Sequence, residues 1–157
     1  MFNAGFTDLL LFGLAAILVV AAVVDVRTFT ISNRLNLTVA LLAPVYWASI
    51  ALARWPGMAL QLAAGAAVFT LLAGAFYAGM MGGGDVKLAA ALALWFSPTG
   101  TVRFLVLMSL AGGVLTLVLV AWHRARKREG RPQIPYGVAI AFGGLAIACS
   151  LSTTDPA

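Results

Sequence analysis

The sequence is poor in the side chains that bind metals or form disulfides. Among its 157 residues, Cys149 is the only cysteine and His123 the only histidine. A single cysteine cannot form a disulfide or a CxxC zinc pair within one chain, and a single histidine excludes a multi-histidine metal site. His123 begins a basic run and is assigned to a surface loop, not to a Ser-His-Asp triad. Cys149 lies deep in the last apolar stretch and is expected to be buried.

Charged residues are also scarce. They make up 10% of the chain, whereas soluble domains carry about 25%, and 62% of the residues are hydrophobic. Six apolar stretches separate the few charges, and most approach the roughly 20 residues that cross a hydrocarbon core of about 30 Å. The sequence predicts one all-α domain over residues 1–157, a polytopic membrane protein with about six transmembrane helices. The predicted spans are 8–26, 35–53, 58–80, 86–97, 102–122 and 134–151.

The net charge of +5 is best explained by membrane topology, and we expect no nucleic-acid partner. The connections after spans one, three and five hold eight of the ten basic residues, whereas the opposite side holds only Arg54 and Arg103. The positive-inside rule then places these three connections in the cytoplasm and both termini outside. The eight residues are Arg27, Arg34, Lys87, Arg124, Arg126, Lys127, Arg128 and Arg131.

Span four is the weak point of this topology because its 12 residues could equally form a re-entrant helix. If it did not cross, the run from Arg124 to Arg131 would lie outside, against the rule. We therefore expect span four to cross, with an extension through Pro98 and Gly100 into the next span.

Two of the five acidic residues fall at the membrane boundary, on the same side. Asp25 ends span one and Asp85 begins span four, whereas Asp8, Glu129 and Asp155 are assigned to loops or termini. An ionised aspartate in hydrocarbon costs up to about 2.5–3.5 kcal/mol on insertion scales, so such residues tend to mark function.

Each of these carboxylates also has a purely structural interpretation. Asp25 could be an interfacial residue paired with Arg27 or Arg34. Asp85 follows the glycine triplet Gly82–Gly84 and could be an ordinary helix N-cap, with the triplet a flexible turn. Capping alone does not need three glycines, however. The triplet would allow an unwound segment that opens a cavity or receives an extended peptide.

Taken together, two carboxylates at one membrane face suit aspartyl hydrolysis. One carboxyl group accepts a proton from water while the other donates a proton to the scissile carbonyl. Two negative charges about 4 Å apart, at an effective dielectric near 20, repel by roughly 4 kcal/mol. Such a pair would share one proton near neutral pH.

The segment from Asp25 to Ile31-Ser32-Asn33, the later Gly82-Gly83-Gly84-Asp85-Val86-Lys87 and the turn Pro135-Tyr136-Gly137 resemble the type IV prepilin peptidase family of GxGD aspartyl proteases. The resemblance implies that Asp25 and Asp85 are catalytic, supported by the three glycines, Lys87, Arg27 and Asn33. It implies a bacterial inner-membrane enzyme that cuts the leader of a prepilin or pseudopilin at the cytoplasmic face, before a hydrophobic helix, without a metal or cofactor.

Two departures from the family pattern refine this expectation. Ser32 stands where the family often has proline, which affects loop geometry but no catalytic atom. The chain also lacks the amino-terminal extension with paired cysteines found in bifunctional members. It is therefore similar to the tight-adherence or Flp-pilus branch, and we expect hydrolysis without methyl transfer.

The supporting residues keep alternative interpretations. Lys87 could steady the carboxylate pair, orient a substrate carbonyl or snorkel to the interface. Arg27 and Arg34 could pair with acidic substrate positions, although anchoring to anionic lipid is the simpler role. The tryptophans are expected in interfacial aromatic belts; they are Trp47, Trp55, Trp95 and Trp122. Whether the chain forms homo-oligomers is left open.

Two rival functions also remain at this point. One is a proton- or ion-coupled transporter or channel subunit that uses Asp85 in an unwound segment. The other is a catalytically silent scaffold of a secretion complex. Neither needs a second aspartate at the same face.

Overall fold

The structure is a computed structural model that describes residues 4–126 and 133–153. Within these ranges the chain is all-helical, which confirms the predicted fold class, and each of the six helices overlaps one predicted span. A π-helical turn, Arg54–Met58, precedes the third helix. The helices are α1 Ala4–Thr28, α2 Asn33–Ser49, α3 Ala59–Tyr77, α4 Gly83–Ala93, α5 Pro98–Ala125 and α6 Tyr136–Thr153.

Two helix starts follow directly from local sequence. Ser32 caps α2 by accepting a 3.3 Å hydrogen bond from the Leu35 N–H. Ser97 caps α5 in the same way through the Gly100 N–H at 3.2 Å, and Pro98 then occupies the first helical position. Serine oxygens satisfy N–H groups that have no partner within the helix, and proline at the first position lacks the N–H that would be unsatisfied there.

The expected placements of Asp8 and His123 were wrong because helices continue past the predicted spans. α1 begins at Ala4, so Asp8 is helical instead of lying in a terminal segment. α5 continues to Ala125, so His123 lies in its last turn instead of a loop, half-buried and with Nε2 unpartnered. The basic residues from 127 to 131, together with Glu129 and Asp155, lie outside the described residues.

Helices α2 and α4 run side by side in the same direction. The Asn36 side chain donates to the Gly84 carbonyl at 3.0 Å near the start of both helices. The Trp47 indole donates to the Leu94 carbonyl at 2.7 Å near the end of both. At about 1.5 Å per residue, the 11 residues of α4 extend only about 16 Å. The two hydrogen bonds nevertheless show that α4 lies alongside most of the length of α2.

The core lies where α4 and α6 pack against α1, α2, α3 and α5. Trp47 and Trp95 belong to this core, with 5% and 1% exposure, instead of to an interfacial belt. Trp55 and Trp122 are exposed, as expected for a belt. Cys149 is exposed on α6, which contradicts its predicted burial.

The outer surface of the bundle is strongly apolar. Three segments are long and apolar enough to cross a membrane: Gly5–Thr28, Arg54–Tyr77 and Pro98–Ala125. Large side chains such as Phe12 and Leu117 are 70% and 72% exposed. Contiguous apolar exposure on this scale is rare in soluble proteins and indicates a membrane protein.

Candidate active site

Asp25 lies near the end of α1 and is only 2% exposed. Its Oδ2 accepts a 2.7 Å hydrogen bond from the Gly137 N–H in the first turn of α6. The first N–H groups of a helix lack intrahelical partners and carry partial positive charge, so they suit a carboxylate. The partner of Asp25 is therefore the start of α6. The alternative interpretation, in which Asp25 is an interfacial residue paired with Arg27 or Arg34, was wrong.

Gly137 is the residue that lets α6 approach this carboxylate. A Cβ atom at position 137 would lie 2.7 Å from Oδ2 of Asp25 and 2.8 Å from Cδ1 of Ile31. Both distances are well below van der Waals contact. Any larger side chain would push α6 away from α1, so glycine is a steric requirement here.

Asp85 is the third residue of α4 and is 8% exposed. The N-cap of α4 is Gly82, so the interpretation of Asp85 as an N-cap was wrong. Its Oδ2 accepts a hydrogen bond from the Gly82 N–H at 3.3 Å, as a first-turn carboxylate does in a capping box. Its Oδ1 is buried and has no hydrogen-bond partner among the described residues.

The Asp85 side chain lines a cavity of about 440 Å³ at the end of the bundle. The other walls come from Phe29 after α1, the segment from Gly79 to Gly82 before α4, and Gln133, Ile134 and Tyr136 before and at the start of α6. The site cavity, as we call it below, is therefore built by the three connections at this end of the bundle.

The glycine triplet has a different role from the one expected. None of the three glycines has a positive φ, and Gly83 and Gly84 are helical, so the triplet is neither an unwound segment nor a flexible turn. The irregular segment lies just before, at residues 78–82, where Gly79 has a φ of 69°. Gly84 is needed for close packing, because a Cβ there would lie 2.7 Å from the carbonyl oxygen of Ile31.

Ile31 joins the two aspartate regions. This buried residue of the α1–α2 connection lies against Gly84, next to Asp85, and against Gly137, the partner of Asp25. Both aspartates therefore lie beside residues that pack against Ile31. The structure thus brings together, at one end of the bundle, acidic residues that are sixty positions apart.

The remaining expected supporting residues lie outside this cluster. Lys87 donates a 2.9 Å hydrogen bond from Nζ to Oδ1 of Asn33, so these two residues pair with each other. Arg27 is exposed. None of the three lines the site cavity.

Sequence reasoning missed Asn36 and the steric role of Ile31. The Asn36 amide fixes the first turn of α4 through the Gly84 carbonyl. The only available signal was a polar residue inside an apolar stretch.

Within residues 4–126 and 133–153, no three histidine, cysteine or carboxylate side chains are grouped to hold a metal ion.

A family model described as the type IV leader peptidase family matches residues 12–117. The chain belongs to the type IV leader peptidase family. The matched range includes Asp25, Ile31 and Asp85, but ends before Gly137. No curated protein and no solved structure matches the chain significantly. Membership confirms the resemblance drawn from the two aspartate motifs and supports a protease that acts on prepilin leader peptides.

Proposed function

We propose that this protein is a membrane-embedded aspartic endopeptidase that removes the leader peptide of type IV or Flp-type prepilins, with Asp25 and Asp85 as its catalytic pair. One observation carries the proposal. Two buried carboxylates from distant parts of the chain lie at the same end of the bundle, where Asp85 lines a cavity and has one oxygen without a hydrogen-bond partner among the described residues. A buried polar atom without a partner costs free energy unless a ligand uses it.

The surroundings of the two carboxylates suggest a division of roles. Asp25 accepts a 2.7 Å hydrogen bond from the backbone N–H of Gly137 at the start of α6, an arrangement that suits an ionised carboxylate. Asp85 is buried and receives only one long hydrogen bond, from Gly82, so we assign the shared proton to it.

In the proposed reaction, Asp25 takes a proton from a water molecule as the water oxygen attacks the scissile carbonyl carbon. Asp85 donates its proton to the carbonyl oxygen, which gives a neutral gem-diol. Asp25 then returns its proton to the leaving nitrogen as the C–N bond breaks, and Asp85 recovers a proton from the diol. The step needs no covalent intermediate.

We place the site at the cytoplasmic face of the bacterial inner membrane. Arg27, Arg34 and Lys87 lie near the same end of the bundle as the two aspartates. Arg54 begins the π-helical turn after α2, and Arg103 lies in the second turn of α5, both towards the opposite end. The positive-inside rule supports this orientation. We further propose that the enzyme hydrolyses the leader without methylating the new terminus.

The test is cleavage of a type IV prepilin by the purified protein in proteoliposomes, followed on gels. Asp25→Asn and Asp85→Asn should each lower the rate at least about a hundredfold, since general acid–base groups typically contribute that much. Asp8→Asn is the matched control, because Asp8 is the other acidic residue of α1 and lies near its opposite end. Normal cleavage by both site variants would rule out the proposed mechanism. Proton flux that depends on Asp85 alone would favour the transporter instead.

A further inference from the structure

A groove of about 490 Å³ runs between α3 and α5. α3 packs mainly on α4, and α5 packs mainly on α6, so the two helices leave a gap between them. Leu72 and Ala75 form one wall, and Met108, Gly112 and Thr116 are part of the other. From Met108 to Thr116 the groove follows eight residues of α5, about 12 Å at 1.5 Å per residue. We call this the α3–α5 groove.

The α3–α5 groove is continuous with the site cavity. Met80, Met81 and Tyr136 line both, so a chain lying in the groove reaches Asp85 by passing these three side chains. Two of them are methionines, whose flexible thioether side chains adapt to varied partners. Met80 is 65% exposed and therefore has room to move.

Continuity with the site cavity distinguishes this groove from a larger apolar groove in the bundle. This second groove, of about 550 Å³, lies between α5 and α6. Its lining residues, such as Leu107 on α5 and Phe142 on α6, are all apolar. It shares no lining residue with the site cavity. Lipid chains suffice to cover such a surface, whereas the α3–α5 groove leads to a carboxylate with an unpartnered oxygen.

The lining also indicates the conformation of an occupant. Backbone N–H and C=O groups at membrane depth must be satisfied within the segment, which favours a helix. Gly113 on α5 allows a second helix to approach closely, since a Cβ at this position would meet no atom within 4 Å. Close to Asp85 the peptide bond must instead be accessible, so the occupant must be extended there.

We propose that the α3–α5 groove binds an apolar α-helix of the substrate, and that the chain adjoining this helix extends past Met80, Met81 and Tyr136 to place the scissile bond at Asp85. The inference rests on the proposed function. It makes the groove the element that selects substrates with an apolar helix beside the cleavage site.

The experiment compares two glycines with equally open surroundings. Gly113→Leu fills the groove, whereas Gly74→Leu adds the same side chain to α3 outside the groove, and a Cβ at either position meets nothing within 4 Å. With a type IV prepilin in proteoliposomes, Gly113→Leu should raise KM at least about tenfold, and Gly74→Leu should stay within about twofold of wild type. An unchanged KM for Gly113→Leu would overturn the groove assignment.

A second measurement does not depend on the leucine being tolerated. A photo-crosslinking benzoylphenylalanine is placed at position 113 or 74 in the Asp85→Asn variant, which should bind prepilin without cleaving it. Position 113 should crosslink to the apolar segment of the prepilin, and position 74 should not. Equal crosslinking at the two positions, or crosslinks from 113 only to lipid or a second copy of the chain, would refute the inference. Failure of the wild-type protein to cleave prepilin would instead remove the proposed function, and this inference with it.

Discussion

The backbone N–H of Gly137 donates a 2.7 Å hydrogen bond to Oδ2 of Asp25, joining residues 112 positions apart. This contact attaches the first turn of α6 to the end of α1. A buried carboxylate needs hydrogen-bond donors. The position of α6 therefore determines whether Asp25 can stay buried and still take part in the proposed reaction. The contact therefore links the packing of the bundle to the chemistry proposed for its site.

Gly137→Ala should lower prepilin cleavage by at least about tenfold. The added methyl group would meet the Asp25 carboxylate at 2.7–2.8 Å, and forcing extra volume into a packed site costs about 1–3 kcal/mol. Cleavage rate and thermal unfolding in detergent are the measurements. Gly13→Ala on α1 is the control, because a Cβ there meets nothing within 4 Å. Wild-type activity in Gly137→Ala would show that the α1–α6 contact is looser than described.

The glycine triplet offers a graded comparison. Gly84→Ala should be strongly impaired, because its Cβ would lie 2.7 Å from the backbone oxygen of Ile31, which cannot move without the α1–α2 connection. Gly83→Ala should be milder, because its nearest neighbour is the edge of the Phe76 ring at 3.3 Å and that side chain can shift. Parallel cleavage assays and unfolding curves would measure both. Equal effects, or the reverse order, would argue against close packing as the reason for Gly84.

Much of the fold was predictable because apolar runs of membrane length leave few alternatives. Six helices and two aspartates near helix ends follow from that pattern. Partners distant in sequence do not, because no local rule links Asp25 to an N–H that lies 112 residues later. The nearby Arg27 was therefore the natural partner to consider, although the structure uses Gly137.

The tryptophans show the same limit. A tryptophan near the end of an apolar run fits both an interfacial belt and a core position that offers an acceptor for its N–H. The Trp47 and Trp95 indoles donate to the carbonyls of Leu94 and Val39 on neighbouring helices. Which residues face α4 depends on helix packing, and the sequence pattern contains little information about that.

Asn36 and Asn33 allow the same substitution to be tested in two environments. Asn36→Asp should markedly lower thermal stability, because Asn36 is 5% exposed, its amide N–H donates to Gly84, and aspartate would remove that donor and bury a charge. Asn33→Asp should be neutral or stabilising by up to about 1 kcal/mol, because Asn33 is exposed and accepts a hydrogen bond from Lys87.

The measurement for this pair is thermal unfolding of both variants in the same detergent, with wild type alongside. An Asn36→Asp variant as stable as wild type would mean that its hydrogen bond to α4 contributes little to holding the first turn of that helix.

Ser32 is the position at which the chain departs from the proline often found in its family, and Ser32→Pro should be tolerated. The Ser32 φ of −69° is already close to the value of about −65° that a proline ring imposes. Proline would remove the cap on the Leu35 N–H, at a cost of about 1 kcal/mol, but would restrict the unfolded chain by a comparable amount. Stability should therefore stay within about 1 kcal/mol of wild type and cleavage within about twofold.

Ser32→Ala is the control, since it loses the cap without restricting the unfolded chain and should be the less stable of the two. Loss of cleavage in Ser32→Pro alone would mean that the α1–α2 connection, which places Ile31 between the two aspartate regions, needs a freedom at this position that proline removes.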